Sequence, residues 1–178
     1  MIMKSMPSRS NSYNIIPILG ALSLFFSVIE YIIPKPIPFL RIGLANIPIL
    51  LSLVLLTPKK TILLIFIKSI GSSLIAGTIF SWIFLYSLSG SLASGIIMLI
   101  FYRVFNRWIS MIGISVIGAL SSNLVQISFA TLLLGSGAKY IGLPILITGL
   151  ITGIVIGYFT NNFLDKSLWI RSNKLNIQ

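Results

Sequence analysis

The sequence predicts an all-α integral membrane protein, a bundle of six helices with both termini in the cytoplasm. Three observations predict this class. Of the 178 residues, 56% are hydrophobic and only 8% are charged, and the mean hydropathy is +1.05. A soluble domain carries about 25% charged residues, so this chain lacks the polar surface that would keep it dispersed in water. We therefore expect the lipid bilayer to surround it.

The composition also excludes several kinds of chemistry. The chain has no Cys and no His, and its two acidic residues are Glu30 and Asp165. Disulfides, thiolate or imidazole metal ligands, Cys nucleophiles and His bases are thereby excluded. The net charge of +11 does not indicate nucleic acid, because the cations lie in short connections between apolar runs. We expect no nucleic acid, no metal, no cofactor and no catalytic residue.

Six apolar runs approach the length of about 20 residues that a membrane-spanning helix needs. We interpret the first run as a retained helix, not a signal peptide, because no small-x-small cleavage site follows it. Basic tails flank the helical domain at 1–14 and 165–178. The runs predict helices over 15–33, 40–56, 61–79, 83–105, 110–134 and 141–164.

Lysine and arginine are distributed unevenly over the connections. With the N-terminus in the cytoplasm, nine of the 13 lie on that side and three on the other, and Lys68 lies inside a span. A cytoplasmic excess of Lys and Arg is typical of membrane proteins, so the bias favours both termini inside. The nine are Lys4, Arg9, Lys59, Lys60, Arg103, Arg107, Lys166, Arg171 and Lys174, and the three are Lys35, Arg41 and Lys139.

The second run contains the sequence RIGLANIP, which interrupts it with polar residues and a proline. Either a helix over 40–56 is broken in its outer third at Pro48, or the helix begins at Ile47 with Asn46 as its N-cap. In the second case about ten residues remain, spanning roughly 15 Å, which is too short to cross. Both cases place irregular backbone at membrane depth, where it must be buried in protein or line a cavity.

Polar side chains inside the predicted spans are candidates for a solute site. Lys68 lies in the third span, although its long stem also allows it to reach the inner interface. Glu30 and Arg41 flank a Pro-rich link and form either an ion pair or part of the site. Asn123 and Gln126 lie three apart on one helix face, where they either bond neighbouring helices or contact solute. A cavity built from these groups is neutral to positive and suits a carboxylate, phosphate or carbonyl group.

Small residues recur at helical spacing in four of the predicted helices. In lipid such residues let helix backbones approach closely, so the sequence predicts bundle packing along them. A stripe on the first helix, Gly20, Ser23 and Ser27, is also a candidate interface for a membrane partner. Trp82, Phe84 and Tyr86 either cap a solute or form an interfacial aromatic belt. The other stripes are Ser87, Ser91 and Gly95; Ser115, Ala119 and Ser122; and Gly149, Gly153 and Gly157.

Four blocks, RIGLANI, LIFIKSIGSSLIAGTIF, SLSGSLASGIIML and IGISVIGALSSNLVQ, resemble in order those of the bacterial membrane family called heptaprenyl diphosphate synthase component I or Gx transporter. The chain departs from the family at Ser122, where a His is expected. Arg41 and Lys68 stand where Lys and Arg, respectively, are more usual. The positions that match the family's blocks are Arg41, Gly43, Asn46, Lys68, Gly71, Gly77, Asn123 and Gln126.

The family's two names imply different roles in the bacterial inner membrane. One implies an accessory subunit of a prenyl diphosphate synthase. The other fits the S components of energy-coupling-factor transporters, six-helix proteins that bind vitamins and related solutes and join a coupling protein and two ATPases. The chain has no Asp-rich motif to hold Mg²⁺ on a diphosphate and no Gly-rich ATP-binding loop. It is therefore neither a catalytic synthase subunit of that known type nor an ATPase itself.

From these observations we expect a non-catalytic subunit that binds a small organic solute in a cavity open to the outer half. The alternatives are an accessory subunit of the synthase, or of a membrane redox or quinone system, and a stand-alone facilitator. Gly43, Pro48, Gly71 and Gly77 have structural roles in this hypothesis. The expected solute ligands are Glu30, Arg41, Asn46, Lys68, Asn123 and Gln126.

Overall fold

The computed structural model describes residues 11–33, 43–105, 108–135 and 139–167. Within these ranges every regular element is a helix. The expected all-α arrangement of six helices is confirmed for this part of the chain, and five helices begin and end within a few residues of the predicted positions. The helices are α1 Asn11–Ile32, a 3₁₀ turn η1 Leu44–Asn46, α2 Ile47–Leu55, α3 Pro58–Ile75, α4 Trp82–Phe105, α5 Met111–Leu134 and α6 Lys139–Lys166.

Four of these helices are long and apolar enough to cross a membrane, which indicates a multi-pass membrane protein. The sequence predicts six membrane-spanning helices, and two of these, α2 and α3, are not among the four candidate spans. Helix α2 has only nine residues, about 14 Å at 1.5 Å per residue. Helix α3 has 18 residues but carries three lysines. The four candidate spans are Ile15–Ile32, Trp82–Phe105, Met111–Leu132 and Gly142–Lys166.

The long helices form an arc around α2. Contacts join α1 to α3, α3 to α4, α4 to α5 and α5 to α6, whereas α2 contacts α1, α3, α4 and α6. The short connections make consecutive helices antiparallel neighbours. We call the end of the bundle where α1 and α3 end and α4 begins the distal end, and the opposite end the proximal end.

Helix α2 forms the centre of the hydrophobic core. Eight of its nine residues are buried, and Leu50 and Leu55 are among the most deeply buried side chains of the described chain. They belong to one cluster with apolar residues of the proximal halves of α3, α4 and α5, namely Leu64, Ile65, Met98 and Ile114. A helix that is apolar on all sides is expected in such a position.

Helices α5 and α6 approach each other through glycine. A Cβ atom added to Gly157 would lie 2.5 Å from Ile112 Cα, and one added to Gly153 would lie 2.9 Å from Val116 Cα. Because both neighbours are backbone atoms, no side-chain rotation can relieve these contacts. The structure thus supports the interpretation of this stripe as a helix-packing surface.

The stripe on α1, Gly20, Ser23 and Ser27, contacts other elements of the same chain, in line with its interpretation as a packing surface of the bundle. Ser23 is fully buried and donates a hydrogen bond to the Ala45 carbonyl, 3.2 Å away. Gly20 faces Leu64 and Ile67 of α3. The stripe is buried because α3 and η1 of the same chain pack against it.

We predict that replacing Gly157 by Ala lowers the free energy of unfolding by about 1–3 kcal/mol, because the added methyl group overpacks the α5–α6 contact. Gly142→Ala, on the same helix, is the control: its Cβ would lie 3.5 Å from Ile127 Cγ2, an ordinary contact. Thermal unfolding of the detergent-solubilised protein measures both. Equal melting temperatures for the two variants would contradict the packing described here.

Candidate functional site

The chain between α1 and α2 turns sharply before the short helix begins. Gly43 has φ of 84°, a left-handed conformation that glycine adopts without steric cost. The Asn46 N–H then donates to the Gly43 carbonyl at 2.8 Å, closing one 3₁₀ turn, and α2 starts at Ile47 with Pro48 in its first turn. Of the two alternatives for RIGLANIP, the structure confirms the later start. An unbroken helix over 40–56 is ruled out.

Three polar side chains from α1 and α3 meet the backbone and side chains of this break. The Glu30 carboxylate accepts the Gly43 N–H at 3.1 Å, and the Ser23 hydroxyl donates to the Ala45 carbonyl. The Lys68 ammonium donates to the Asn46 side-chain oxygen. Each bond satisfies a polar group that lipid cannot satisfy.

The predicted N-cap is correct in position but not in its bonding. Asn46 precedes α2, yet its side chain makes no capping hydrogen bond, and its φ and ψ of −85° and −14° are helical. A capping residue normally has extended backbone. The Asn46 side-chain oxygen instead accepts a charge-assisted hydrogen bond from the Lys68 ammonium. Lys68 is only 8% exposed, so it lies inside the bundle rather than reaching the interface.

A cavity of about 310 Å³ is lined by η1, by mostly distal residues of α1, α3 and α4, and by α5 and α6 from their middle into their proximal halves. Its lining is rich in hydroxyl groups, and Glu30 and Lys68 contribute one negative and one positive charge. Asn46 and Asn123 add amides, and Tyr31 and Tyr86 add aromatic rings. The hydroxyl-bearing residues are Ser27, Ser72, Ser73, Thr78, Ser87, Ser91, Ser94, Ser115, Ser122 and Thr152.

Two of these hydroxyls have unused hydrogen-bonding capacity. Ser73 and Ser94 are 2% and 1% exposed, and their oxygen atoms have no hydrogen-bond partner in the described part of the chain. Buried polar groups are nearly always paired. These hydroxyls therefore provide donors and acceptors for a polar molecule in the cavity.

The two carboxamides of α5 have different surroundings. Asn123 lines the cavity, and its Nδ2 donates to the Ile145 carbonyl of α6 at 2.7 Å. Gln126 is fully buried, donates to Ser122 Oγ at 3.2 Å and packs beside Gly90 of α4. Gln126 is not among the described residues that line the cavity, so the predicted pair is divided between the cavity and the α4–α5 contact.

The remaining predicted site residues have mainly structural positions. Gly71 approaches Leu24 of α1. Gly77 has φ of 67° and terminates α3. There the Gly77 N–H donates to the Leu74 carbonyl and the Thr78 N–H donates to the Ser73 carbonyl. Arg41, and with it the expected ion pair to Glu30, lies outside the described residues.

The predicted aromatic group is also divided. Tyr86 is buried, lines the cavity and packs edge-on against Phe129. Trp82 is 75% exposed, as a residue of an interfacial belt would be. One aromatic side chain of the three therefore faces the cavity.

The serine residues are the part of the site that the sequence analysis missed. Their spacing on α4 and α5 predicts helix packing, and Ser87, Ser91 and Ser115 do lie on interior faces. The available signal was the number of hydroxyls on those faces, since Ala or Gly would serve packing equally well. Together with the single ammonium and carboxylate, these groups suit non-covalent binding of a polar molecule.

We predict that Asn123→Leu lowers the free energy of unfolding by about 1–3 kcal/mol, because the hydrogen bond between α5 and α6 is lost. The side chain is tightly enclosed: a Cβ on Gly149 would overlap Asn123 Nδ2. Asn162→Leu, at an exposed position of α6, is the control. Reversible unfolding in mixed micelles measures the difference, and an unchanged stability for Asn123→Leu would show that the bond is unimportant.

Comparison with known proteins supplies a family. No curated protein and no solved structure matches the chain significantly. The sequence profile of the family described as heptaprenyl diphosphate synthase component I matches residues 19–163, a stretch that contains every described residue lining the cavity. The chain therefore belongs to the heptaprenyl diphosphate synthase component I family.

Proposed function

We propose that this protein is a membrane-embedded binding subunit for the uptake of a small organic solute that carries an anionic or carbonyl group. The observation that carries the proposal is the Lys68–Asn46 pair, which lies at a broken helix and lines a cavity rich in hydroxyl groups. Such a cavity binds its ligand through a few placed polar groups within a shaped enclosure.

Lys68 provides the positive charge for the solute. Its ammonium lies among residues of low exposure, where an electrostatic interaction is stronger than it is in water. Broken helices with their N-termini at a substrate cavity also recur in transporters, where they face anionic groups. The charge of Lys68 and its position beside the break before α2 thus favour an anionic group of the solute at this place.

The size and polarity of the cavity favour a small polar solute over a prenyl chain. Its volume of about 310 Å³ is at the lower end of the range of small-molecule pockets, roughly 300–1,000 Å³. A heptaprenyl tail has seven isoprene units and no polar atoms, so it would offer no partner to the buried Ser73 and Ser94 hydroxyls, which have none among the described residues.

In this proposal the transport energy comes from separate proteins. The sequence contains no Gly-rich ATP-binding loop. The S components that the chain resembles join a coupling protein and ATPases. We therefore propose those subunits as its partners, with the cavity presented to the outer side of a bacterial inner membrane and both termini inside.

The family description favours a second candidate function. A component I is one part of a synthase, so an accessory, non-catalytic membrane subunit that joins another synthase component is the alternative. Affinity purification from native membranes separates the two. Coupling and ATPase subunits in the purified complex favour transport, whereas a synthase component as the sole partner favours the accessory role.

The solute-binding proposal is tested with the small-molecule fraction of a bacterial cell extract. We expect the purified protein to retain a specific compound after washing, detectable by mass spectrometry, and Lys68→Met to lower its affinity at least about tenfold through loss of a charged hydrogen bond. Lys59→Met, at an exposed position in the first turn of the same helix, is the control and should bind normally.

Two results would overturn the proposal. One is a wild-type protein that retains no specific compound from the extract. The other is a retained compound whose affinity is the same in Lys68→Met, which would place its binding elsewhere. The melting temperature of each variant shows whether a loss of binding reflects unfolding.

A further inference from the structure

Glu30 is a second buried charge in the cavity, and the proposed function does not use it. It lies near the distal end of α1, is 8% exposed and lines the same cavity as Lys68. A charged side chain at membrane depth is costly and is a candidate for function. Its role therefore needs an explanation separate from that of Lys68.

Among the described residues, Glu30 makes one hydrogen bond, which uses part of its acceptor capacity. An ionised carboxylate has about four lone-pair sites. One oxygen, Oε1, accepts the Gly43 N–H at 3.1 Å, and this is the hydrogen bond found at the carboxylate among the described residues. A charged donor from a bound molecule would add to this neutral donor and stabilise the buried carboxylate.

The two opposite charges are anchored on the same short turn. Glu30 accepts from Gly43, Lys68 donates to Asn46, and the Asn46 N–H closes the turn onto the Gly43 carbonyl at 2.8 Å. The turn holds Gly43 and Asn46 at a fixed separation. The Glu30 and Lys68 side chains, which bond to these two residues, are therefore also held in place relative to each other. The cavity therefore has one negative and one positive group in a defined arrangement.

Neutral hydroxyls line the same cavity as these two charges. Ser73 and Ser94 are buried, have no hydrogen-bond partner in the described ranges and line the cavity together with Glu30 and Lys68. They accept or donate equally well, so they do not select the sign of a solute. The sign is selected by the two charged groups.

We propose that the solute is a zwitterion whose ammonium group pairs with Glu30 while its carboxylate or phosphate meets Lys68. This inference rests on the proposed solute-binding function and narrows its substrate class to amino acids and related amino-group-bearing anions. A purely anionic solute offers no cation to Glu30 and is repelled by its charge, and that difference is the basis of the selectivity.

The probes are amino acids of increasing length, from glycine through β-alanine and 4-aminobutyrate to 6-aminohexanoate. Each is paired with the hydroxy acid in which a hydroxyl replaces the ammonium group. The series spans a range of charge separations, and the paired compounds are nearly equal in size. Isothermal titration on the purified protein measures the affinity of each compound.

We expect at least one amino acid to bind at least about tenfold more tightly than its hydroxy acid, as expected for one charged hydrogen bond. In Glu30→Gln the preference should disappear, because the amide still has an oxygen that can accept from Gly43 but carries no charge. Asp165→Asn, a carboxylate on α6 next to Asn161 and outside the cavity lining, is the matched control and should keep the preference.

Three outcomes would overturn the inference: hydroxy acids that bind as tightly as amino acids, a preference that persists in Glu30→Gln, or no binding by any amino acid in the series. None of them decides the proposed function, which is tested by the retention of a compound from the extract. A retained compound that depends on Lys68 but has no basic nitrogen would support solute binding and reject the zwitterion.

Discussion

The structure depends on one constraint, the break in the chain before α2. Backbone polar groups released by a break cannot be satisfied by lipid, and here other helices satisfy them. Ser23 and Glu30 of α1 bond the Ala45 carbonyl and the Gly43 N–H, and Lys68 of α3 bonds the Asn46 side chain. The small residues of α1 lie against η1 and α3 because these bonds require close approach.

The break also accounts for the position of the cavity. Helix α2 begins at Ile47, so it fills the centre of the arc only at the proximal end, where its leucines pack with Leu64 and Met98. Beyond the start of α2 the centre is bounded by η1 and by small side chains of α4 and of the proximal half of α5, which do not fill it. A continuous, apolar second helix would occupy this space.

The sequence predicted the features that depend on local order along the chain. Apolar run lengths predicted the helices, and Pro48 and Asn46 predicted the break because proline lacks the N–H that a continuous helix needs and Asn is a common residue at a helix start. Helical spacing shows which residues share a face, but not which neighbour that face meets. For this reason the sequence left the α1 stripe open between bundle packing and a partner interface, and the convergence of serines from α4 and α5 was not predicted.

The groups that stabilise the break are also the groups that give the cavity its charge. Glu30 and Lys68 each bond the turn and line the cavity, so a change to either alters both the bonding of the turn and the charge of the cavity. A loss of binding in a variant is therefore informative only when the turn is preserved. Glu30→Gln meets this condition because it can still accept from Gly43, whereas Lys68→Met removes the donor to Asn46 and requires a parallel measurement of stability.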